Sequence, residues 1–328
     1  MILIESVPAL GSSPFFVWLI DMLRAIAAIR TPFLTAVLSA LTYLGHEMVF
    51  LVLAMILAWC VDKKYGYRFL AMFMVGSFLQ QALKAAFMIP RPWLLDPGFY
   101  SLVVPSAIPA ATGYSFPSGH TLTAVVTLGG AAMFLKKKWA YAVAFVLTVV
   151  VGFSRMYLGV HTLLDVVVGF LLGVLVLVAF GLAFRKDKDH TKLLDTILIV
   201  GNIACVALLL YLVFGPKPDD VLLMPMALES IDNAYVLVGA AVGALLGKAC
   251  DDLFVHFDTK APFWVQVIKV AVGFGLVLGL RAGLKALFGG ENEPALLHGL
   301  RYCLMTFVAI GVYPLFFNVF KKKETKSV

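Results

Sequence analysis

Apolar stretches long enough to cross a bilayer recur along this chain, each closed by a short polar or basic cluster. A helix rises about 1.5 Å per residue, so roughly 20 apolar residues cover a hydrocarbon core of about 30 Å. The pattern therefore predicts an all-α, polytopic integral membrane protein with about nine transmembrane helices, near 36–61, 68–89, 119–135, 139–154, 161–184, 193–214, 232–248, 264–287 and 299–320. The first and seventh are the weakest, because Gly45-His46-Glu47 interrupts one and Asp251-Asp252 follows close on the other. Ahead of them, 14–30 mixes Phe15, Phe16, Trp18, Leu19, Leu23 and Ile26 with Asp21, Arg24 and Arg30, as in an amphipathic helix lying at the interface. Residues 1–13 carry no basic leader region and are expected to be loosely ordered. The chain thus divides into an interfacial segment (1–35), a helical core (36–190) and a four-helix extension (191–328).

Composition agrees with a lipid solvent. Of 328 residues, 62% are hydrophobic and 14% charged, and the mean hydropathy of +0.96 excludes an ordinary soluble domain. A net charge of +7 could suggest nucleic acid. The basic residues, however, sit in short clusters between apolar runs, which is the positive-inside arrangement, so no nucleic-acid partner is expected. Alternate loops at 62–68, 136–138, 185–192 and 248–260, with the C-terminal tail, hold 16 of the 26 Lys and Arg. That bias predicts a cytoplasmic C-terminus, an outward N-terminus and an outward 90–118 loop. Cys60, Cys205, Cys250 and Cys303 lie far apart with no CxxC pair, and read as small packing residues.

Three charged groups then stand out, because a membrane does not accept them without a reason. Lys84 and Arg91-Pro92 end the second predicted span, Tyr114-Ser115-Phe116-Pro117-Ser118-Gly119-His120 opens the third, and Ser154-Arg155 with His161 and Asp165 flank the turn between the fourth and fifth. The predicted topology brings all of them to one side of the membrane. Lys84 and Arg91 are about two helical turns apart. His161 and Asp165 are an i, i+4 pair, so the carboxylate can fix one ring tautomer and leave the other nitrogen free to attack. Pro117 to His120 enter a helix N-terminus, where backbone N–H groups and the dipole favour an oxyanion. Three cations, a Ser-Gly turn and two histidines suit a site that holds a phosphate and breaks its ester bond.

Taken together, Lys84-x6-Arg91-Pro92, Pro117-Ser118-Gly119-His120 and Ser154-Arg155-x5-His161-x3-Asp165 resemble the three-part motif of the type 2 phosphatidic acid phosphatase superfamily. The resemblance spans about residues 68–170. That superfamily includes lipid phosphate phosphatases, undecaprenyl-diphosphate phosphatases, sphingosine phosphate phosphatases and glucose-6-phosphatase. It implies a catalytic helical core in the N-terminal half, with His161 as nucleophile forming a phosphohistidine and Asp165 orienting its ring. His120 is then the general acid and base, and Lys84, Arg91, Arg155, Ser118 and Gly119 hold the phosphoryl oxygens. No metal or other cofactor is implied. The implied substrate is a membrane lipid phosphate, with undecaprenyl diphosphate first and phosphatidate, phosphatidylglycerol phosphate or a sphingoid phosphate next, in a cell membrane with the site on the extracytoplasmic face. A homodimer is left open.

Two rivals use the same residues. A lipid-phosphate transporter or flippase would bind without cleaving, and a structural membrane protein would keep a decayed site. A metal triad of the two histidines and Asp165 is disfavoured because three neighbouring cations repel a divalent ion. Elsewhere Gly239, Gly243 and Gly247 predict a close-packing helix face, as do Gly169 and Gly173. Gln80 and Gln81 are expected to bond between helices, and Arg281 and Lys285 to snorkel toward the interface. Asp251, Asp252, His256 and Asp258 are expected to be solvated polarity in a cytoplasmic loop.

Overall fold

The computed structural model describes residues 7–185 and 190–320, and among these every regular element is a helix. In chain order they are α1 (Val7–Gly11), α2 (Pro14–Ala28), α3 (Pro32–Leu41), α4 (Glu47–Ile56), α5 (Lys63–Phe87), α6 (Pro92–Leu95), α7 (Gly119–Ala124), α8 (Gly130–Leu135), α9 (Lys138–Tyr157), α10 (Leu163–Ala183), α11 (Thr191–Phe214), α12 (Met224–Cys250), α13 (Phe263–Phe288) and α14 (Ala295–Phe307). A π-helical turn at Val125–Gly129 joins α7 to α8. The predicted all-α, polytopic fold class is borne out.

Among the described residues, seven segments are long and apolar enough to cross a membrane: Lys63–Leu95, Lys138–Tyr157, Leu163–Ala183, Thr191–Phe214, Met224–Val255, Phe263–Phe288 and Ala295–Phe317. The bent pair Pro14–Ala28 and Pro32–Gly45 makes an eighth if taken as one span, and the two expected spans missing from the seven correspond to Glu47–Val61 and Gly119–Leu135, both apolar but no longer than 17 residues. A 17-residue helix is about 25 Å long, short of a full hydrocarbon core. The predicted first crossing at 36–61 is not one helix. Its front half continues from Pro32 to Gly45 and is bent by 119° from α2, and a new helix starts at Glu47. The interruption has a packing reason, since a Cβ on Gly45 would fall 2.9 Å from Val151 and still closer to the His120 carbonyl.

Two compact units emerge: residues 1–50, 72–190 and 207–234 form one, and 51–71, 191–206 and 235–328 the other. These boundaries cut across the sequence-level division at 190, because packing joins helices that are remote along the chain. Residues 1–6, 186–189 and 321–328, with part of two basic clusters, lie outside the described residues. The rest of the segment expected to be loose, 7–13, is instead ordered as α1 and the Ser13 cap of α2, because Val7 is buried and its N–H donates to Asp220.

In the first unit, Ser13 accepts the Phe16 N–H and Pro14 occupies the first turn, so α2 starts cleanly. Its Phe16, Leu19, Ile20 and Leu23 face is buried with Leu38, Leu95, Phe99, Tyr157 and Val160, while Phe15 and Trp18 stay exposed. The predicted amphipathic helix therefore docks its inner face on protein. Gly169 and Gly173 sit where a Cβ would meet the Ser118 carbonyl and Val125, which packs α10 directly on α7.

The second unit is built around Trp59, Val255, Phe257, Val277, Met305, Tyr313 and Phe317. Here α12 and α14 touch backbone to backbone, because Cβ atoms at Gly239 and Gly243 would run into the Gly299 and Cys303 carbonyls. The expected small-residue face is present. One expectation is corrected: Asp251 is not solvated. It is wholly buried in a π-helical turn (Asp251–Val255), accepts the Tyr67 hydroxyl at 2.8 Å and pairs with Lys63 Nζ at 2.9 Å. Burying a carboxylate demands such partners, and the loop sequence alone did not reveal them. Asp252 is half exposed and pairs with Lys248.

Candidate active site

All the predicted site residues lie in the first unit, and helix polarity gathers them at one end. Lys84 is in the last turn of α5 and Arg155 in the last turn of α9, whereas His120 opens α7 and Asp165 opens α10. Arg91 is the cap residue of α6, and His161 sits in the turn before α10. Lys84, Arg91, Arg155, His161 and Asp165 are each no more than 4% exposed. Five ionisable side chains buried at one level of a bundle are costly unless they serve one another or a ligand.

Local capping chemistry fixes the histidine turn. Thr162 caps α10 by accepting the Asp165 N–H, and Asp165 Oδ2 reciprocally accepts the Thr162 N–H at 2.7 Å, a capping box. The same Oδ2 accepts the Ser115 hydroxyl at 2.6 Å and faces His161 Nδ1 at 3.4 Å. Ser115 Oγ is itself 3.4 Å from Nδ1. On the other side of the ring, Arg91 Nη1 lies 3.0 Å from His161 Nε2. A guanidinium can only donate, so Nε2 accepts and the ring proton resides on Nδ1, toward Asp165 and Ser115. Burial, reinforced by Arg91, Arg155 and Lys84, holds the His161 pKa well below its ordinary 6.5. The imidazole is therefore neutral, with its lone pair on the nitrogen that faces the cations.

The cations are held differently. Arg91 is braced on every side, donating to the carbonyls of Gly113 (3.0 Å), Thr112 (2.7 Å) and Val160 (3.0 Å) as well as to the ring. Lys84 Nζ makes one bond, to the Thr112 carbonyl at 3.3 Å, and an ammonium has two donors more. Arg155 reaches Thr42 Oγ1 at 3.3 Å through Nη1, while its buried Nε and Nη2 have no partner among the described residues. A buried guanidinium with two unmet donors beside a neutral imidazole is a place for an anion.

Ser118 differs in part from expectation. Its N–H donates to the Asp165 carbonyl at 2.9 Å, and its Oγ caps α7 by accepting from Thr121 N and, at 3.0 Å, from Thr121 Oγ1. It ties α7 to α10, and only its hydroxyl proton remains to be offered. Gly119 packs on the Gln80 amide, which also reaches the Pro117 carbonyl at 3.5 Å. His120 is within electrostatic reach of Arg155, His161 and Arg91, and its ring centroid is 6.0 Å from that of His46. Sequence reasoning gave no role to Ser115, Thr42, His46 or the Thr112-Gly113 carbonyls. Ser115 lay inside the highlighted turn, and the break at Gly45-His46-Glu47 was the signal for the other side chains. Among the described residues, no group of three or more His, Cys, Asp or Glu side chains is arranged to hold a metal ion.

The stretch that carries these residues is shared with known proteins. A family model described as the PAP2 superfamily matches residues 65–189, and a second, described as the PAP2 superfamily phosphatase transmembrane extension, matches 235–325. The chain is 34% identical over 167 residues to phosphatidylglycerophosphatase B of Bacillus subtilis, covering 46% of this chain and 76% of that protein. It is 32% identical to undecaprenyl-diphosphatase of Sulfolobus acidocaldarius, over 43% of this chain and 66% of the relative. Sphingosine-1-phosphate phosphatase 1 of Rattus norvegicus matches at 28% identity over 74% of this chain, but over only 58% of its own length. Among solved structures, a transmembrane PAP2 type phosphatidylglycerolphosphate phosphatase from Bacillus subtilis aligns with a TM-score of 0.45 and 28% identity, covering 56% of this chain and 92% of that one. With a family model matching residues 65–189 and 34% identity along 76% of a bacterial relative, this chain belongs to the PAP2 superfamily.

Proposed function

We propose that this protein is a membrane phosphatase that hydrolyses lipid phosphates or diphosphates through a phosphohistidine on His161. The observation that carries the reading is the Arg155 guanidinium, buried with Nε and Nη2 unpartnered beside a neutral His161. The relatives' printed activities, on phosphatidylglycerophosphate, undecaprenyl diphosphate and sphingosine-1-phosphate, support a lipid phosphate as the substrate class.

In this reading the phosphoryl oxygens replace His161 Nε2 as the partner of Arg91 Nη1, and are held as well by Arg155, Lys84, the Ser118 hydroxyl and the Gly119 N–H. Nε2 then attacks phosphorus, the bond from phosphorus to the leaving oxygen of the lipid or lipid phosphate breaks, and His120, which takes up a proton as the substrate's negative charge enters beside it, protonates that oxygen. The Nδ1 proton stays between the ring, Asp165 and Ser115, which stabilise the charge the ring acquires. Water attacks the phosphohistidine, His120 takes its proton, and inorganic phosphate leaves. The basic clusters outside the site support an outer-face location by the positive-inside rule.

The test is phosphate release from a panel of phosphatidylglycerol phosphate, phosphatidate, sphingoid phosphate and undecaprenyl diphosphate in detergent with EDTA present. His161→Ala should remove turnover, and a rapid acid-sparing quench of the parent enzyme with labelled substrate should trap label on His161. Full turnover by the alanine variant would sink the mechanism. Binding without release in the parent would favour a carrier.

A further inference from the structure

One carboxylate at the site belongs to neither stretch matched by the family models. Glu229 is on α12, between residues 65–189 and 235–325, in the part of that helix that belongs to the first compact unit. Its Oε2 accepts the N–H of Gly113. Gly113 has φ of +62°, which glycine adopts freely, so the turn is unstrained and what α12 supplies is support for its position. The support is local and specific. A Cβ on Gly113 would lie 3.2 Å from Ser230 Oγ and 3.6 Å from Asn233 Nδ2, and Asn233 itself reaches Thr112 Oγ1 at 3.5 Å. Three residues on one face of α12 therefore grip the Thr112-Gly113 turn.

That turn carries the cations. The Thr112 carbonyl accepts from both Lys84 and Arg91, and the Gly113 carbonyl accepts from Arg91 Nε. Glu229 is also within electrostatic reach of Lys84 and Arg91. An N–H that donates to a carboxylate polarises its own peptide, and the chain Glu229, Gly113 peptide, cation is continuous. We infer that Glu229 is a positioning residue: through the Gly113 N–H it clamps the 112–113 carbonyls so that Lys84 and Arg91 are held at the spacing a phosphoryl group requires. This inference rests on the proposed phosphatase reading for its meaning, but not for its test.

The experiment compares Glu229→Ala, which removes the acceptor, with Glu229→Gln, which keeps an acceptor oxygen and drops the charge. Each is measured twice, by steady-state phosphate release and by calorimetric binding of inorganic orthophosphate to the purified full-length protein. Glu229→Ala should weaken orthophosphate binding and raise KM by about tenfold, the weight of one charge-assisted hydrogen bond, with a smaller change in kcat. Glu229→Gln should recover most of that loss. A merely structural role predicts the opposite split, equal loss of active fraction in both variants at parental KM and parental orthophosphate affinity, and that result would overturn the inference. Parental values in Glu229→Ala would overturn it as well. If the parent binds orthophosphate but releases none from any lipid, the phosphatase reading falls while the clamp is still decided by the binding series. A parent that neither binds nor turns over would end both.

Discussion

At the scale of single residues, the least expected member of the site is Ser115. Its hydroxyl donates to Asp165 at 2.6 Å and lies 3.4 Å from His161 Nδ1, so it shares the carboxylate oxygen that orients the ring. Partners of this kind, one bond removed from the reacting atom, are commonly worth 10–100-fold in activity. Ser115→Ala should therefore lower kcat by roughly tenfold or more with KM little changed, because the phosphate cations are untouched. Ser115→Thr should recover part of it. Steady-state phosphate release decides, and an unaltered kcat in the alanine variant would remove Ser115 from the catalytic arrangement. The charged members of the site were legible in the sequence because a buried charge in an apolar chain needs a reason, and Lys84, Arg91, Arg155 and Asp165 announce themselves. Ser115, Thr42 and the Thr112 carbonyl do not. Hydroxyls and backbone carbonyls are common in any chain, and only the fold says which of them face a cation.

Among the elements, helix ends and glycines set the site's precision. Lys84, Arg155, His120 and Asp165 come to one end because α5 and α9 end where α7 and α10 begin, and α7 is held against α10 by Gly169, whose Cβ would fall 2.6 Å from the Ser118 carbonyl. A methyl group there forces the two helix N-termini apart, separating His120 from His161. Displacements of about 1 Å within a catalytic constellation can cost on the order of a hundredfold in rate. Gly169→Ala should thus reduce kcat far more than it lowers the thermal midpoint, since overpacking at one contact costs only about 1–3 kcal/mol. Circular dichroism melts beside turnover give both numbers, and a variant that loses stability while its folded fraction keeps parental kcat would refute the argument. Apolar length predicted most of these helices well. It failed at 36–61, where hydropathy continues across Gly45-His46-Glu47 but the backbone turns so that Thr42 can meet Arg155. Hydropathy measures what a segment dissolves in, and a bend costs it nothing.

For the whole chain, the two compact units make the residues after 190 more than an appendage. Cutting at Arg185 looks harmless in the sequence, because all eight predicted site residues precede it. Residues 51–71, however, belong to the second unit, where Trp59 donates to the Ala309 carbonyl at 3.1 Å and stacks edge-on against Tyr313 and Phe317. Lys63 and Tyr67 in turn find their partners there, Asp251 for both and the Phe257 carbonyl as well for Lys63. A chain ending at Arg185 would strand a buried tryptophan, an ammonium and a tyrosine hydroxyl, and would also lose Glu229 from the first unit. Buried polar groups deprived of partners cost about 1–3 kcal/mol each, and several together exceed a large share of a typical fold's stability of about 5–15 kcal/mol. The truncated protein should fail to elute as a single species from size exclusion in detergent and should release no phosphate, whereas co-expression with residues 191–328 should restore both. A monodisperse, fully active fragment would mean that the 51–71 segment finds adequate partners in lipid and detergent alone, and that the site assembles without any contribution from the C-terminal half.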